Sequence, residues 1–485
     1  MFITLKKLDL FLIILTQLLI FFLCFLFLDY SHDIHLARNL LIFIFLLSVL
    51  ISLIDRPFNI FQIFLLVLLI FNLALPIFES IGIYRYPVDF KIMESDGIKQ
   101  IVSKESIYTM YSIFIYFLIG ASIGWLLGIL STYNWYLNSY LKLYNKNYHE
   151  KFYYIIKIIF LLIFILVTYS NIMLVIQSRT LGYIEVMHLS SYSSIIFELA
   201  DALYKVVGVM LLFMSKDKKQ FIRYAFIFMI PFFIQFFTGA RGETISLIVV
   251  LVFVYTIIHD SFSVKKLLFF GTLIFLLTIF IGIARFSDNI MLAVNEMSFF
   301  DIFLGSIISS SKSLGVVAYT IELKEHFINK VPFIFGYFDS IFSFARNYSL
   351  EGIEEKSYLA QHITYLTNPE KLFNGSTIGS SIVAESFEFS NGNSIVILIF
   401  AGVSLFFARI IPLLMVRNIY LFYFGFVFLE AFILSPRGSI MKFLNKEFVL
   451  SLIFISLVMF FISLVMLSFK DKEQKNFVNL NRNIE

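Results

Sequence analysis

The chain has 485 residues, 60% hydrophobic and 14% charged, with a mean hydropathy of +0.89. A soluble domain carries roughly 25% charged residues, so the composition excludes a soluble globular protein and points to a polytopic membrane protein. The net charge of +4 is small and spread out, without the basic stripe a nucleic-acid partner needs, and a lone cysteine, Cys24, excludes a disulfide framework.

At the N-terminus Lys6 and Lys7 precede an apolar run from Leu10 to Leu28. That run is too long for the apolar core of a signal peptide and no small-x-small cleavage site follows it, so it reads as a first transmembrane helix. Crossing roughly 30 Å of hydrocarbon takes about 20 mostly apolar residues. Twelve segments qualify: 9–29, 39–54, 57–78, 108–130, 153–176, 193–214, 221–238, 243–258, 267–286, 394–415, 419–435 and 447–468. The expected fold is an all-α polytopic integral membrane protein of about 12 transmembrane helices, with 1–485 forming a single membrane domain.

Lysine and arginine set the orientation, because cytoplasmic connections are enriched in them. With the N-terminus inside, the inner connections hold Lys6, Lys7, Arg56, Lys142, Lys146, Lys151, Lys216, Lys218, Lys219, Arg223, Lys265, Lys266 and Arg417, and the tail adds Lys470, Lys472, Lys475 and Arg482. Both termini are therefore expected in the cytoplasm. The long break in hydrophobicity over 288–393, between the ninth and tenth spans, then faces outward as a large loop, in the periplasm or at the cell exterior. A loop that long is usually functional or carries its own structure. Ile302–Phe327 has helical spacing with a serine-rich face, and the prolines in Val331-Pro-Phe and Asn368-Pro-Glu interrupt any longer helix. Two or three short helices are expected there, lying on the outer surface as a lid.

Four outer turns carry an arginine: Arg179, Arg241, Arg285 and Arg437. Guanidinium forks suit bidentate binding of phosphate oxygens, and the bland alternative is that each anchors a helix end at the interface. Arg241 lies between Gly239 and Gly242, where positive-φ geometry and free amides at the next helix start would favour an anion. In the sixth span Glu198, Asp201 and Lys205 share one helical face. They read either as a self-neutralising structural group or as part of a site lining, since ionisable groups in a membrane helix face the protein interior; Glu430 reads as a structural ion-pair partner.

Candidate proton acceptors are Glu385, His326 and His362, with His188 a further histidine able to accept a proton; for each of these loop histidines the alternative is a solvated or packed side chain. Glu388 and Glu243 read as carboxylates that could instead be salt-bridge partners. No metal-ligand spacing, nucleophile elbow or P-loop occurs, so the expected chemistry needs no metal, cofactor or ATP.

Thr238-Gly-Ala-Arg-Gly-Glu-Thr244 leading into a span, Val331-Pro-Phe-Ile-Phe-Gly336, Gly379-Ser-Ser-Ile-Val-Ala-Glu385-Ser-Phe-Glu-Phe-Ser-Asn-Gly392 and Ser435-Pro-Arg-Gly-Ser439, with twelve spans and a large late outer loop, resemble the Wzy-type O-antigen (oligosaccharide repeat unit) polymerases. The resemblance implies an inner-membrane glycosyltransferase of the GT-C class. It would move a growing glycan from undecaprenyl pyrophosphate onto a new lipid-linked repeat unit at the periplasmic face, beside a chain-length-regulating co-polymerase of the Wzz type. The arginines would neutralise the pyrophosphate leaving group and a carboxylate or histidine would deprotonate the acceptor hydroxyl. A lipid-linked oligosaccharide flippase and an O-antigen ligase are the rival readings; the long outer segment argues against the first, and the second differs in its acceptor.

Overall fold

The computed structural model describes residues 6–54, 59–82, 102–132, 150–181, 195–237, 242–259, 304–327 apart from 306, 309 and 312, 331–341 apart from 340, 349–374, 377–415, 417–445 and 447–461; for 150–152, 179–181, 195–199, 259 and 339 it describes the backbone alone. Among these residues every regular element is helical. The long helices are α1 (Lys7–Ser31), α2 (Ile34–Ser52), α3 (Ile60–Ser80), α4 (Lys104–Thr132), α5 (Glu150–Leu181), α6 (Ile195–Phe213), α7 (Lys218–Phe236) and α8 (Gly242–His259). Shorter ones follow: α9 (Leu314–Leu323), α10 (Leu350–Glu355), α11 (Leu359–Thr367) and α12 (Ile382–Ser390). The chain then returns to long helices in α13 (Ser394–Met415), α14 (Ile419–Leu434) and α15 (447–461).

Eight helices among the described residues are long and apolar enough to cross a membrane. They correspond to the first five and the last three predicted spans. The sixth and seventh predicted spans appear as α6 and α7, 19 residues each, and each carries three charged residues. The eighth is α8, and the predicted span 267–286 lies outside the described residues.

Helix α4 is the axis of the molecule: 89% of its apolar window is buried inside the protein. Gly120, Gly124 and Gly128 repeat every four residues and so form one stripe on it. A Cβ at Gly120 would overlap the backbone carbonyl of Leu398, and one at Gly124 would overlap the backbone of Gly402 on α13; at Gly128 it would stand 2.8 Å from the Arg409 Cβ. Small residues let two membrane helices approach until backbone meets backbone, which is how helices pack where the solvent is itself apolar. Arg409 is buried at the end of that contact, with its guanidinium 5.3 Å from the Trp125 ring centroid. On other faces of α4, the Ser122 hydroxyl donates to Ser48 of α2 at 3.0 Å, and the Tyr108 hydroxyl donates to the Leu28 carbonyl of α1.

Helix α3 is interrupted by a π-turn over Leu69–Leu73, which ends three residues before Pro76. The wider turn breaks the regular ladder, and the Leu75 N–H donates instead to the Ser311 hydroxyl at 2.9 Å. Helices α5, α6 and α7 meet around Tyr204, whose ring stacks on Phe160 and Phe228 and whose hydroxyl donates to the Phe228 carbonyl at 3.0 Å.

The predicted lid is structurally different from the expectation. The Ile302–Phe327 segment does contain a helix, but α9 is inserted into the body rather than laid over it: Leu314, Val317, Ala318, Tyr319 and Thr320 have no exposed surface, and the helix packs on α4, α11 and α12. Residues Ile382 to Ser386 of α12 are equally sealed. The physical reason is composition: Leu-Gly-Val-Val-Ala-Tyr and Ile-Val-Ala carry enough apolar surface to be drawn into a core. The proline expectation holds at Asn368-Pro-Glu, where α11 stops at Thr367 and the Asn368 side chain caps a new turn by accepting from the Lys371 N–H at 3.0 Å.

Candidate functional site

Three segments distant in sequence meet at one end of the bundle: the π-turn of α3, the start of α12 and the turn Ser435-Pro-Arg-Gly-Ser439 after α14. Their junction is built on Glu385. Ser381 caps α12, its hydroxyl accepting from the Val383 N–H at 3.3 Å, and this sets Glu385 one turn in. Gly379, at φ +105°, adopts a left-handed conformation that a side chain would strain, and places Ser380 back over the helix. The Ser380 hydroxyl donates to Glu385 Oε1 at 2.9 Å, and the Ser439 hydroxyl donates to Oε2 at 2.9 Å. The Ile440 N–H adds a further hydrogen bond.

Glu385 is 1% exposed. Burial pushes its carboxyl up to about 8, against the opposing hydrogen bonds from Ser380 and Ser439, and the nearby Glu388 raises it further. It therefore clasps the Arg437 turn to α12 with both oxygens engaged. Asn72, fully buried within the π-turn, holds the other side of that turn, its amide donating to the Pro436 carbonyl at 3.0 Å. The clasped turn presents Arg437 at the surface, its guanidinium 5.0 Å from the Phe71 ring centroid, a cation–π arrangement that orients the fork.

The other predicted residues fall apart from this junction or outside the described set. His326 ends α9 on an exposed 3₁₀ turn, Lys324–His326. His362 is 2% exposed, with Nδ1 3.0 Å from the Tyr358 carbonyl and its ring edge-on to Phe333 at 4.9 Å. Glu388 accepts from the Phe333 N–H at 3.0 Å, so it ties the Val331-Pro-Phe turn to α12. Gly242 opens α8 in helical conformation with nothing within 4 Å of a Cβ position; the expected positive-φ role of this glycine is not what the structure shows, because a residue already inside the first helical turn needs no left-handed backbone. Arg241, Arg285 and Gly239 lie outside the described residues, and Arg179 is described by its backbone in α5 alone.

A second polar group lies between helices. Lys205 of α6 pairs with Glu243 of α8, and its Nζ stands 3.9 Å from Glu430 of α14. Sequence spacing paired Lys205 with its own helix neighbours Glu198 and Asp201; in the structure its partners come from two other helices. Glu243 and Glu430 are thus both salt-bridge partners. Sequence reasoning missed Asn72, Phe71, Ser380 and Ser439. Asn72 left a readable signal, an amide in an apolar span whose burial demands a hydrogen-bonding partner; the two serines stand within motifs read from the sequence, but nothing local tied them to Glu385.

Fold and site together define a multi-pass membrane protein, helical throughout its described residues, with a polar, arginine-bearing junction at one end of its bundle. The chain belongs to a known family: the model of "O-antigen polysaccharide polymerase Wzy" matches residues 10–470, a span that includes each segment of the Glu385 junction. The protein is accordingly a polysaccharide polymerase of that family, and the match favours neither the flippase nor the ligase reading. No curated protein and no solved structure matches the chain.

Proposed function

We propose that the chain transfers a growing glycan from undecaprenyl pyrophosphate to a new lipid-linked repeat unit at the periplasmic face of the bacterial inner membrane. In this reading it has twelve spans, both termini in the cytoplasm and the GT-C class of glycosyltransferase architecture. The observation that carries the proposal is the family match across almost the whole chain, joined to an exposed guanidinium on a rigidly held turn.

The chemistry asks for charge neutralisation where the pyrophosphate leaves, and preorganised cations supply it without reorganisation at the moment of reaction. Arg437 fills that role, with Arg241, Arg285 and Arg179 as further ligands and Gly239 and Gly242 flanking Arg241. Guanidinium charge stands in for a metal, so transfer is metal-independent. Glu385 acts as a positioning residue that fixes the Arg437 turn, and His362 as a packing group; His326 is a solvated histidine near the glycan path. A Wzz-type co-polymerase is the expected partner that sets chain length.

The test is the surface glycan of cells lacking their native copy. The wild-type chain is expected to restore long chains, while R437A at equal abundance yields mostly single units, a loss on the order of 100-fold in chain-forming rate, the scale of one removed charge-stabilising donor. Long chains at wild-type level from R437A would remove Arg437 from the site.

A further inference from the structure

Transfer onto a hydroxyl releases a proton, and Glu385, with both oxygens engaged, is poorly placed to receive it. Among the described residues, the Lys205–Glu243–Glu430 group differs in two ways. It holds two carboxylates to one ammonium, and its side chains keep part of their surface, 23% for Lys205, 31% for Glu243 and 16% for Glu430. A sealed structural ion pair needs neither a surplus carboxylate nor an opening.

The three residues come from three helices. Thr244 fixes the start of α8 by donating to the Phe232 carbonyl at 2.9 Å, and this places Glu243 beside Lys205. The Lys205 ammonium also lies 5.8 Å from the Phe232 ring centroid. Glu430 sits on α14, seven residues before Arg437, so the helix that carries it leads directly into the arginine turn. Glu243 begins α8 two residues after Arg241. In sequence, then, both carboxylates lie close to an arginine of the proposed phosphate set.

Within the trio one ammonium balances one carboxylate, and the neighbouring Lys442 and Glu447 add one charge of each sign, so one carboxylate stays in surplus. In a poorly screened setting, that carboxylate is the place where a single exchangeable proton is bound and released at least cost. The charged and titratable groups that act on Glu430 are Lys205 from α6, Glu243 from α8, Lys442 from the 3₁₀ turn Ile440–Phe443, Glu447 at the start of α15, and Tyr423 two turns earlier on the same face of α14.

Resting on the polymerase reading above, we propose that Glu430 is the proton acceptor of the transfer, with Glu243 holding the Lys205 charge so that Glu430 remains available. In the step, the acceptor sugar's hydroxyl oxygen forms the new bond to the anomeric carbon of the donor glycan. The bond from that carbon to the pyrophosphate oxygen breaks, and its electron pair leaves with the pyrophosphate. The hydroxyl proton passes to the Glu430 carboxylate, which later loses it to water.

The experiment uses the purified full-length chain in vesicles, supplied with lipid-linked repeat units extracted from cells that lack the polymerase, and follows chain growth against pH. The wild type is expected to show an acid limb, with rate rising as the group loses its proton. E430Q leaves Lys205 and Glu243 as a balanced pair; it is expected to slow growth at least ~100-fold, the lower scale of general-base catalysis, and to lose the limb. E430D, which keeps a carboxylate, is expected to recover part of the rate together with the limb. Wild-type rate and an unchanged limb in E430Q overturn the proposal. Should E430Q fail to accumulate, the charge-balanced double variant K205M/E243Q decides: it retains Glu430 and is expected to retain an acid limb, and a flat profile overturns the assignment. If the wild type itself joins no units, the polymerase reading fails first, and the group is a structural ion pair.

Discussion

G124V is expected to prevent the folded chain from accumulating in the membrane. The Cβ of any larger residue at Gly124 would occupy the space of the Gly402 backbone, and backbone, unlike the end of a side chain, cannot rotate away. Overpacking a core with side-chain atoms alone costs about 1–3 kcal/mol; here two helices have to separate along the contact that also runs through Gly120 and Gly128. Since α4 also carries the contacts of α1, α2 and α9, the loss spreads. Immunoblotting of membranes gives the measure, with G305A as a control at a helical glycine that has nothing within 4 Å. Normal levels of G124V would show that α4 and α13 do not meet as described.

The second large effect separates positioning from chemistry at Glu385. E385L is expected to leave the Ser380 and Ser439 hydroxyls and the Ile440 N–H without their buried acceptor, at about 1–3 kcal/mol for each such group; the Arg437 turn loosens and long glycan is lost. E385Q retains an acceptor oxygen and the shape, and is expected to keep most chain formation. Were Glu385 itself the proton acceptor, E385Q would cost about 10²–10⁴-fold.

The pH dependence follows from the same carboxyl. Its folded value of about 8 lies above the ordinary 4.5, so between these values the folded chain holds a proton that the unfolded chain has released. Its contribution to stability is complete below the ordinary value, falls as pH rises toward 8, and is flat beyond. Thermal unfolding in detergent is expected to show that decline in the wild type and a shallower one in E385Q. Parallel slopes in the two proteins would contradict the buried, raised carboxyl.

Much of the architecture was legible because apolar length is a direct consequence of bilayer thickness. The runs that became α1, α2, α3, α4, α13 and α14 could be counted without knowing any contact. The Gly120, Gly124 and Gly128 stripe was equally visible as a spacing, yet its partner was not, since nothing in α4 says that Leu398 and Gly402 oppose it. The 288–393 segment misled for a related reason: its serines and prolines suggest surface, while the short apolar stretches that draw α9 and α12 inward are too brief to stand out against so hydrophobic a chain. At the site, Glu385 and Arg437 were singled out separately from their local motifs. Their connection depends on Ser439, 54 residues beyond Glu385, and such long-range hydrogen bonds leave no local pattern. Lys205 shows the same limit, because helical spacing offered it partners on its own helix while the fold supplied them from α8 and α14.

The central claim is that this chain joins lipid-linked repeat units rather than carrying them across the membrane. The most direct measurement is product length and carrier release when the purified protein, in vesicles, receives lipid-linked repeat units. The account predicts glycans longer than one unit, with one polyprenyl pyrophosphate freed for each new linkage. Movement of single units across the vesicle membrane, with neither linkage nor carrier release, would contradict it.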